Sequence, residues 1–458
     1  MEKRGELVAR TPVPPTAPPA EQAAEQAADP AVQRHVLRVL VISQVLSGAG
    51  LAAGITVGAL LAQDMLGSTG LAGLPSALFT AGSACAAIAV SRISAARGRR
   101  PGLAAGYATG AVGSAGVITA AALDSPALLF AALFVYGAGT ATNLQARYAG
   151  ADLAAPGHRA RAVSTVLVAT TLGGVLGPNL AAPTGDLAHV LGLPRLAGPF
   201  LLAGLAYAAA ALVLATRLHP DPLLLARAAA AATPAPAPDA PAADAPAPDA
   251  PAPVLDTPAP VLDVPADPVA AARIRNRVLL GAQVMVVTQL VMVAVMTMTP
   301  VHMHDHGHGT AASGLVIALH VAAMYLPSPL TGRLVDRHGP LAVGAAAGLT
   351  LLAAGLVAAL APADSVALLA LALVLLGLGW NFGLVSGTAV ITEAAPLATR
   401  ARTQGAVDVA IAVSGTTGGL ASGAVVDLAG YSALALGGGL LALVILPALA
   451  ATATRSRR

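Results

Sequence analysis

Twelve membrane-crossing α-helices in two six-helix bundles are what this chain predicts, and three observations predict them. Of its 458 residues 56% are hydrophobic and only 10% charged, and the mean hydropathy is +0.75, far from soluble globular domains. Apolar stretches of roughly 20 residues, enough to cross about 30 Å of hydrocarbon, recur twelve times. A long tract of Ala, Pro and Asp divides them six and six.

In chain order, residues 1–34 are polar and rich in Ala and Pro, without the apolar run of a signal peptide, and are expected to be a disordered cytoplasmic segment. Residues 35–217 form the first bundle, with spans near 36–62, 70–91, 102–122, 127–149, 162–182 and 196–216. Residues 218–272 are a linker whose centre, 228–268, has the regular Pro of an extended, solvated chain. Residues 273–452 form the second bundle, with spans near 277–299, 311–331, 340–361, 365–391, 404–426 and 431–452, and 453–458 is a basic tail. The one cysteine, Cys85, excludes an intramolecular disulfide framework.

Arginine orients the spans. Arg92, Arg97, Arg99, Arg100, Arg159, Arg161, Arg217, Arg273, Arg275, Arg277, Arg333, Arg337, Arg400, Arg402 and the terminal Arg455, Arg457 and Arg458 all fall on one side if the spans alternate. The opposite loops carry Asp64, Asp124, Asp186, Asp305, Asp364 and Asp427, with Arg195 the exception. The positive-inside rule then places both termini in the cytoplasm of a multi-pass plasma-membrane protein. The net charge of +3 follows from this asymmetry and asks for no nucleic-acid partner; the lipid bilayer is the partner, and a monomer is expected. No Gly-x-x-x-x-Gly-Lys-Ser/Thr segment is present, so ATP hydrolysis is not the driving force, and the chain is not read as an enzyme.

The halves repeat. Gly137, Gly139, Leu144 and Pro156 fall on Gly377, Gly379, Leu384 and Pro396, both stretches end in Arg-Ala-Arg, and Gly98 and Gly339 stand 241 residues apart. Such parallel repeats mark a transporter whose substrate site lies between the bundles near the bilayer midplane.

These motifs resemble those of the major facilitator superfamily. Gly332, Asp336 and Gly339 fit its Gly-x-x-x-Asp-x-x-Gly-Arg loop, with Pro340 replacing the final Arg; in the first half Ser91 and Ala95 stand in place of Gly and Asp, while Gly98, Arg99 and Arg100 match. The departure weakens the inter-bundle charge latch on one side. Gly173, Gly174, Gly177 and Pro178 resemble the superfamily's fifth-span element, which in full form accompanies antiporters.

Residues 285–324 hold six of the eight methionines and five of the ten histidines. Thioether and imidazole together suit Cu(I) better than a hard cation. Met292 and Met296 in span seven, and His320 and Met324 in span eight, are i, i+4 pairs, each on one helix face. A short loop between the spans carries His302, Met303, His304, His306 and His308. The Met-x-x-x-Met and His-x-x-x-Met pair is similar to that of the CcoA-like copper importers, a branch of the same superfamily serving cytochrome c oxidase assembly. The resemblance implies that Met292, Met296, His320 and Met324 form an intramembrane copper site. At 1.5 Å per residue the four ligands descend from the loop by about 5 to 20 Å, so an ion passes between spans seven and eight by ligand exchange.

The expected function is therefore copper import by alternating access, with copper as cargo, no prosthetic cofactor, and a cytoplasmic copper chaperone as a candidate receiver. Plainer readings stand beside it: methionine as packing, His320 bonded to a neighbouring backbone, the loop as a solvated turn. A proton-coupled exporter of small amphipathic organic molecules is the alternative, and a metal-sensing receptor signalling through the linker a third. Asp408 is either a proton-coupling carboxylate or an interfacial acid near Arg400 and Arg402. Arg147 and Asp152 read as structural, and Asn143 and Gln145 as candidates to line the cavity.

Overall fold

The computed structural model describes residues 20–66, 74–232 and 268–447. The described residues are all-helical apart from short connections. The first half comprises α1 (Ala20–Ala28), α2 (Pro30–Leu66), α3 (Leu74–Arg97), α4 (Arg99–Ala122), α5 (Pro126–Ala151), α6 (Arg159–Asn179), α7 (Ala181–Val190) and α8 (Gly198–Arg217), followed by α9 (Pro222–Ala232). The second comprises α10 (Pro268–Asp305), α11 (Thr310–Tyr325), α12 (Ser328–His338), α13 (Pro340–Leu360), α14 (Val366–Ala394) and α15 (Arg400–Ala442), which bends at Gly430, where φ is 83°. Nine helical stretches among the described residues are long and apolar enough to cross a membrane.

Local chemistry sets the boundaries. Ser125, followed by Pro126, accepts a hydrogen bond from the Leu128 N–H at the start of α5, and Ser365 does the same for Leu368 at the start of α14. Gly98 (φ 97°) and Gly339 (φ 83°) turn the chain between α3 and α4 and between α12 and α13, a conformation that L side chains resist. Each glycine of this repeat pair serves the same turn in its own half.

Two boundaries differ from the sequence expectation. The N-terminal segment expected to be disordered is helical from Ala20, and α1 packs on α9. Alanine-rich sequence favours helix once a partner surface offsets the ordering entropy. The linker expected from 218 likewise starts with a helix, α9, whose Leu223 is fully buried. The Pro-rich tract from 233 to 267 and the tail 453–458 lie outside the described residues.

Each half has its own core. In the first, α2 packs on α6 and α8, and α4 on α5 and α8, around Tyr107, Tyr136, Phe200 and Tyr207. In the second, α10 packs on α14 and α15, α13 on α14 and α15, and α11 on α14, around Leu351, Leu373, Trp380 and Leu384. The halves meet where α3 packs on α15 and α12 on α6. The two contacts are repeat mates. A Cβ on Gly405 would lie 2.2 Å from the Ser91 side chain, and one on Gly332 would lie 2.6 Å from Ser164 Oγ. Ser91 and Gly332 are 241 residues apart, as are Ser164 and Gly405, so each junction is one serine against one glycine. Small residues allow helices in lipid to approach this closely.

Within the first half, a Cβ on Gly113 would stand 2.3 Å from the Tyr136 backbone nitrogen. Gly113→Leu is expected to force α4 from α5 and destabilise the fold by at least about 1–3 kcal/mol. Gly157→Ala, with nothing within 4 Å, is expected to be neutral. Thermal melting of the two purified variants in detergent checks the contrast; equal melting temperatures would remove the close α4–α5 approach from the account.

Candidate functional site

The charged residues that join the halves gather at the arginine-rich end. Arg147 on α5 is fully buried, and its guanidinium is shared among several partners. Nη2 donates to Asp408 Oδ1 on α15 and to the Tyr148 hydroxyl, each at 2.8 Å; Nε donates to Thr388 Oγ1 on α14 at 3.1 Å; Nη1 donates to the Leu144 carbonyl. The guanidinium also lies 4.2 Å from the centre of the Tyr148 ring. Thr388 belongs to the other half, so Arg147 is bonded across the junction of the halves through α14 as well as α15. Asp408 Oδ2 is buried with no hydrogen-bond partner among the described residues.

A second layer lies beside it. Arg99 Nε donates to Asp152 Oδ2 at 2.8 Å while its Nη2 bonds Gln404 of the other half, and Arg400 Nη1 lies 3.8 Å from Asp152 Oδ1. Asp336 accepts from the backbone N–H groups of Ala160 (3.2 Å) and Arg161 (3.3 Å) and pairs with the Arg161 side chain at 3.2 Å. This is the expected latch. Its repeat mate is Ala95, which has no carboxylate, and there Arg227 of α9 takes over. Arg227 Nη1 donates to the Ala95 carbonyl at 2.8 Å, and Nε and Nη2 donate to the Leu397 and Ala398 carbonyls of the other half at 3.1 Å each.

Asp408 therefore pairs across the halves with Arg147, not with Arg400 or Arg402 of its own helix, and Arg400 faces Asp152. Three-dimensional neighbours outweigh sequence neighbours because α15 turns its polar face toward α5. Asn143 donates to Ser47 Oγ at 2.9 Å and Gln145 to the Ala87 carbonyl at 2.8 Å; both are buried within the first half.

The methionine and histidine residues are arranged differently from the expected ladder. α10 and α11 touch each other little, because α14 packs against both. Met292 is buried among the apolar residues of the second core, with Met296 packed partly against it. Met324 is buried, and its carbonyl accepts from Asn381 Nδ2 of α14 at 2.7 Å. His320 is fully buried, and its Nδ1 donates to the Leu373 carbonyl of α14 at 2.8 Å. A carbonyl only accepts, so the neutral ring carries its proton on Nδ1 and leaves the Nε2 lone pair free; Nε2 has no partner among the described residues.

The expected loop is shorter than its sequence suggests, because α10 runs through Pro300 to Asp305 and carries His302, Met303 and His304 on its last turns. His302 stacks on Tyr431 with ring centres 4.3 Å apart and lies 4.3 Å from the His306 ring. His306 Nδ1 donates to the His302 carbonyl and His308 Nε2 to the Ala363 carbonyl, both at 2.8 Å, while Met303 is fully buried and His304 exposed. Among the described residues no three His, Cys, Asp or Glu side chains converge as a metal site.

One cluster escaped the sequence reading. The single tryptophan, Trp380 on α14, donates from Nε1 to Gln289 Oε1 on α10 at 2.7 Å, and Tyr325 at the end of α11 meets its ring edge-on at 5.7 Å. Three helices bring these residues together at mid-height of the second half. A lone Trp with a Gln inside apolar spans was the available signal.

The Major Facilitator Superfamily profile matches residues 40–340 and 279–458. The chain belongs to the Major Facilitator Superfamily. It is a multi-pass membrane transporter, not an enzyme. It is 52% identical over 395 residues to the uncharacterized MFS-type transporter YdeG of Bacillus subtilis, covering 86% of each chain. It is 29% identical over 360 residues to the riboflavin transporter RfnT of Brucella anthropi, covering 77% of this chain and 79% of that one. In fold it is similar to the human organic anion transporter MFSD10, with a TM-score of 0.69 at 18% identity over 91% of this chain and 99% of that one.

Removing one partner of a buried ion pair strands the other charge in a low dielectric and costs roughly 3–5 kcal/mol, whereas replacing both by apolar residues is often neutral. Arg147→Met is therefore expected to lower the melting temperature sharply, and Arg147→Met combined with Asp408→Leu to recover most of the loss. Additive losses in the double variant, read by thermal melting in detergent, would show that the two charges do not depend on one another.

Proposed function

We propose that this transporter exports a small amphipathic organic molecule in exchange for protons, as a monomer in the plasma membrane. The arrangement of Gln289, Trp380 and Tyr325 carries this reading. Trp380 is packed in the described conformation, but once the halves part its indole, with the Tyr325 phenol and the Gln289 amide, would offer flat apolar faces beside a donor and an acceptor, a set that suits a planar polar solute better than a metal ion. The riboflavin transporter among its relatives handles a solute of that kind, and the Gly173 to Pro178 element resembles that of antiporters. Trp380 lies eight residues before Thr388 on α14, about 12 Å along the helix from the charged seal.

In this reading, α2, α6 and the two arms of the α15 bend complete a set of twelve spans, and the arginine-rich end with both termini is cytoplasmic. The described conformation is then closed toward the cytoplasm. Asp408 couples the cycle: a proton on its unpartnered Oδ2 removes the charge that holds Arg147, loosens the tie across the halves and favours opening on the cytoplasmic side. Release of the proton restores the pair and the seal.

Soft-metal import is the second reading, favoured by His320. Its Nδ1–H is held by a backbone carbonyl and its Nε2 lone pair is free, the orientation of a metal-binding imidazole. In this reading Met292, Met296, Met324 and the histidines from His302 to His308 assist it in another conformation, and a cytoplasmic chaperone receives the copper.

Proteoliposomes with an imposed pH gradient separate the two. Flavin fluorescence is expected to report gradient-driven movement that Asp408→Asn abolishes, and Trp380→Leu or Gln289→Leu to raise the half-saturation concentration about tenfold, the equivalent of one lost contact of about 1.4 kcal/mol. Uptake of radioactive copper that His320→Leu abolishes, with no gradient-driven flavin movement, would replace the first reading by the second.

A further inference from the structure

Beside the charged seal, a cavity of about 200 Å³ is lined by Asp152, Arg159, Arg400, Leu397 and, from the two added helices, Ala27 of α1 and Ala226 of α9. The arginines dominate its charge. Arg400 has Arg99, Arg159, Arg227 and Asp152 as electrostatic neighbours. Asp152 is already held by Arg99 at 2.8 Å and reaches Arg400 only at 3.8 Å, while Asp221 accepts from the N–H groups of Arg100, Leu223 and Leu224. Arg400 is only 5% exposed, and the Nε of Arg159 is buried with no hydrogen-bond partner among the described residues. A guanidinium N–H removed from water without an acceptor is costly, and here the buried Arg400 and the half-buried Arg159, with its unpartnered Nε, line one open cleft.

We infer that this cavity is a binding site for a phosphate-type anion, held between Arg159 of the first half and Arg400 of the second. The two arginines are 241 residues apart, repeat mates, and each opens a helix, α6 and α15, so both helix N-termini add to the same positive potential. A phosphate offers several acceptor oxygens and matches the guanidinium fork, which a chloride ion cannot do. Because one ligand comes from each half, the bound anion ties the halves at the arginine-rich end, and α1 and α9 form part of its wall. The site thus stabilises the closed end and slows turnover when filled. Inorganic phosphate and the headgroup of an anionic lipid share this chemistry.

The test uses the purified full-length protein in neutral detergent and in nanodiscs. Inorganic phosphate, against sodium chloride at matched ionic strength, is expected to raise the melting temperature saturably if the anion is soluble. Nanodiscs of phosphatidylglycerol, against phosphatidylcholine, are expected to do so if it is a lipid headgroup. Either response supports the site provided Arg159→Gln weakens it about ten- to a hundredfold, the loss expected for a charge-assisted hydrogen bond. If Arg159→Gln does not fold, Arg159→Lys, which keeps the charge and loses the fork, is expected to retain the response with weaker affinity. No response in either arm, or a variant that responds as the wild type does, overturns the proposal.

Discussion

Arg147 is the constraint on which the joined halves depend. A guanidinium with no exposed surface, inside a chain that is 10% charged, is tolerable only if the surrounding groups supply its acceptors. Both halves supply them: Leu144 and Tyr148 from its own, Asp408 and Thr388 from the other. Its contacts with Thr388 and Asp408 of the other half place it at the junction of the bundles. A movement that separates the halves at this end must therefore find new partners for the charge or neutralise Asp408. An element with two discrete arrangements of that kind is what alternating access requires.

Close approach of the helices makes the network possible. The reciprocal junctions of Ser91 with Gly405 and of Ser164 with Gly332 bring α3 against α15 and α6 against α12, near enough for side chains of one half to reach backbone of the other. The two sides of the seal use different means. On one, Asp336 takes two backbone N–H groups at the start of α6; on the other, where Ala95 has no carboxylate, Arg227 spans carbonyls of both halves. An acceptor reaching for donors has been replaced by a donor reaching for acceptors, and the replacement comes from α9, outside the repeat. The halves share an ancestry of pattern without sharing every contact.

The methionine and histidine residues show how far spacing along one helix can be taken. That Met292 and Met296 share a face, and His320 and Met324 another, follows from 3.6 residues per turn. Which helix each face meets does not follow, and α14 proves to be the neighbour of both. The partner of His320 is the Leu373 carbonyl, a backbone group that no side-chain pattern announces. Likewise the run of histidines reads as a loop, yet half of it, His302 and His304, belongs to the end of α10, where Pro300 is accommodated within the helix.

Hydropathy, span length and the repeat of Gly98, Gly339 and the Arg-Ala-Arg segments were sufficient to determine an all-helical membrane transporter built from two halves, and the resemblance of Gly332, Asp336 and Gly339 to a known loop motif pointed to the superfamily. Solvation by lipid leaves the backbone few alternatives, so these features can be read in one dimension. The helix from Ala20 to Ala28, the pairing of Asp408 with Arg147, the role of Arg227 and the convergence of Gln289, Trp380 and Tyr325 were decided only by the tertiary structure. Each depends on which faces of which helices meet. In apolar spans of similar composition that choice is made by small-residue packing and by the few buried polar groups seeking partners, and neither follows a period along the chain.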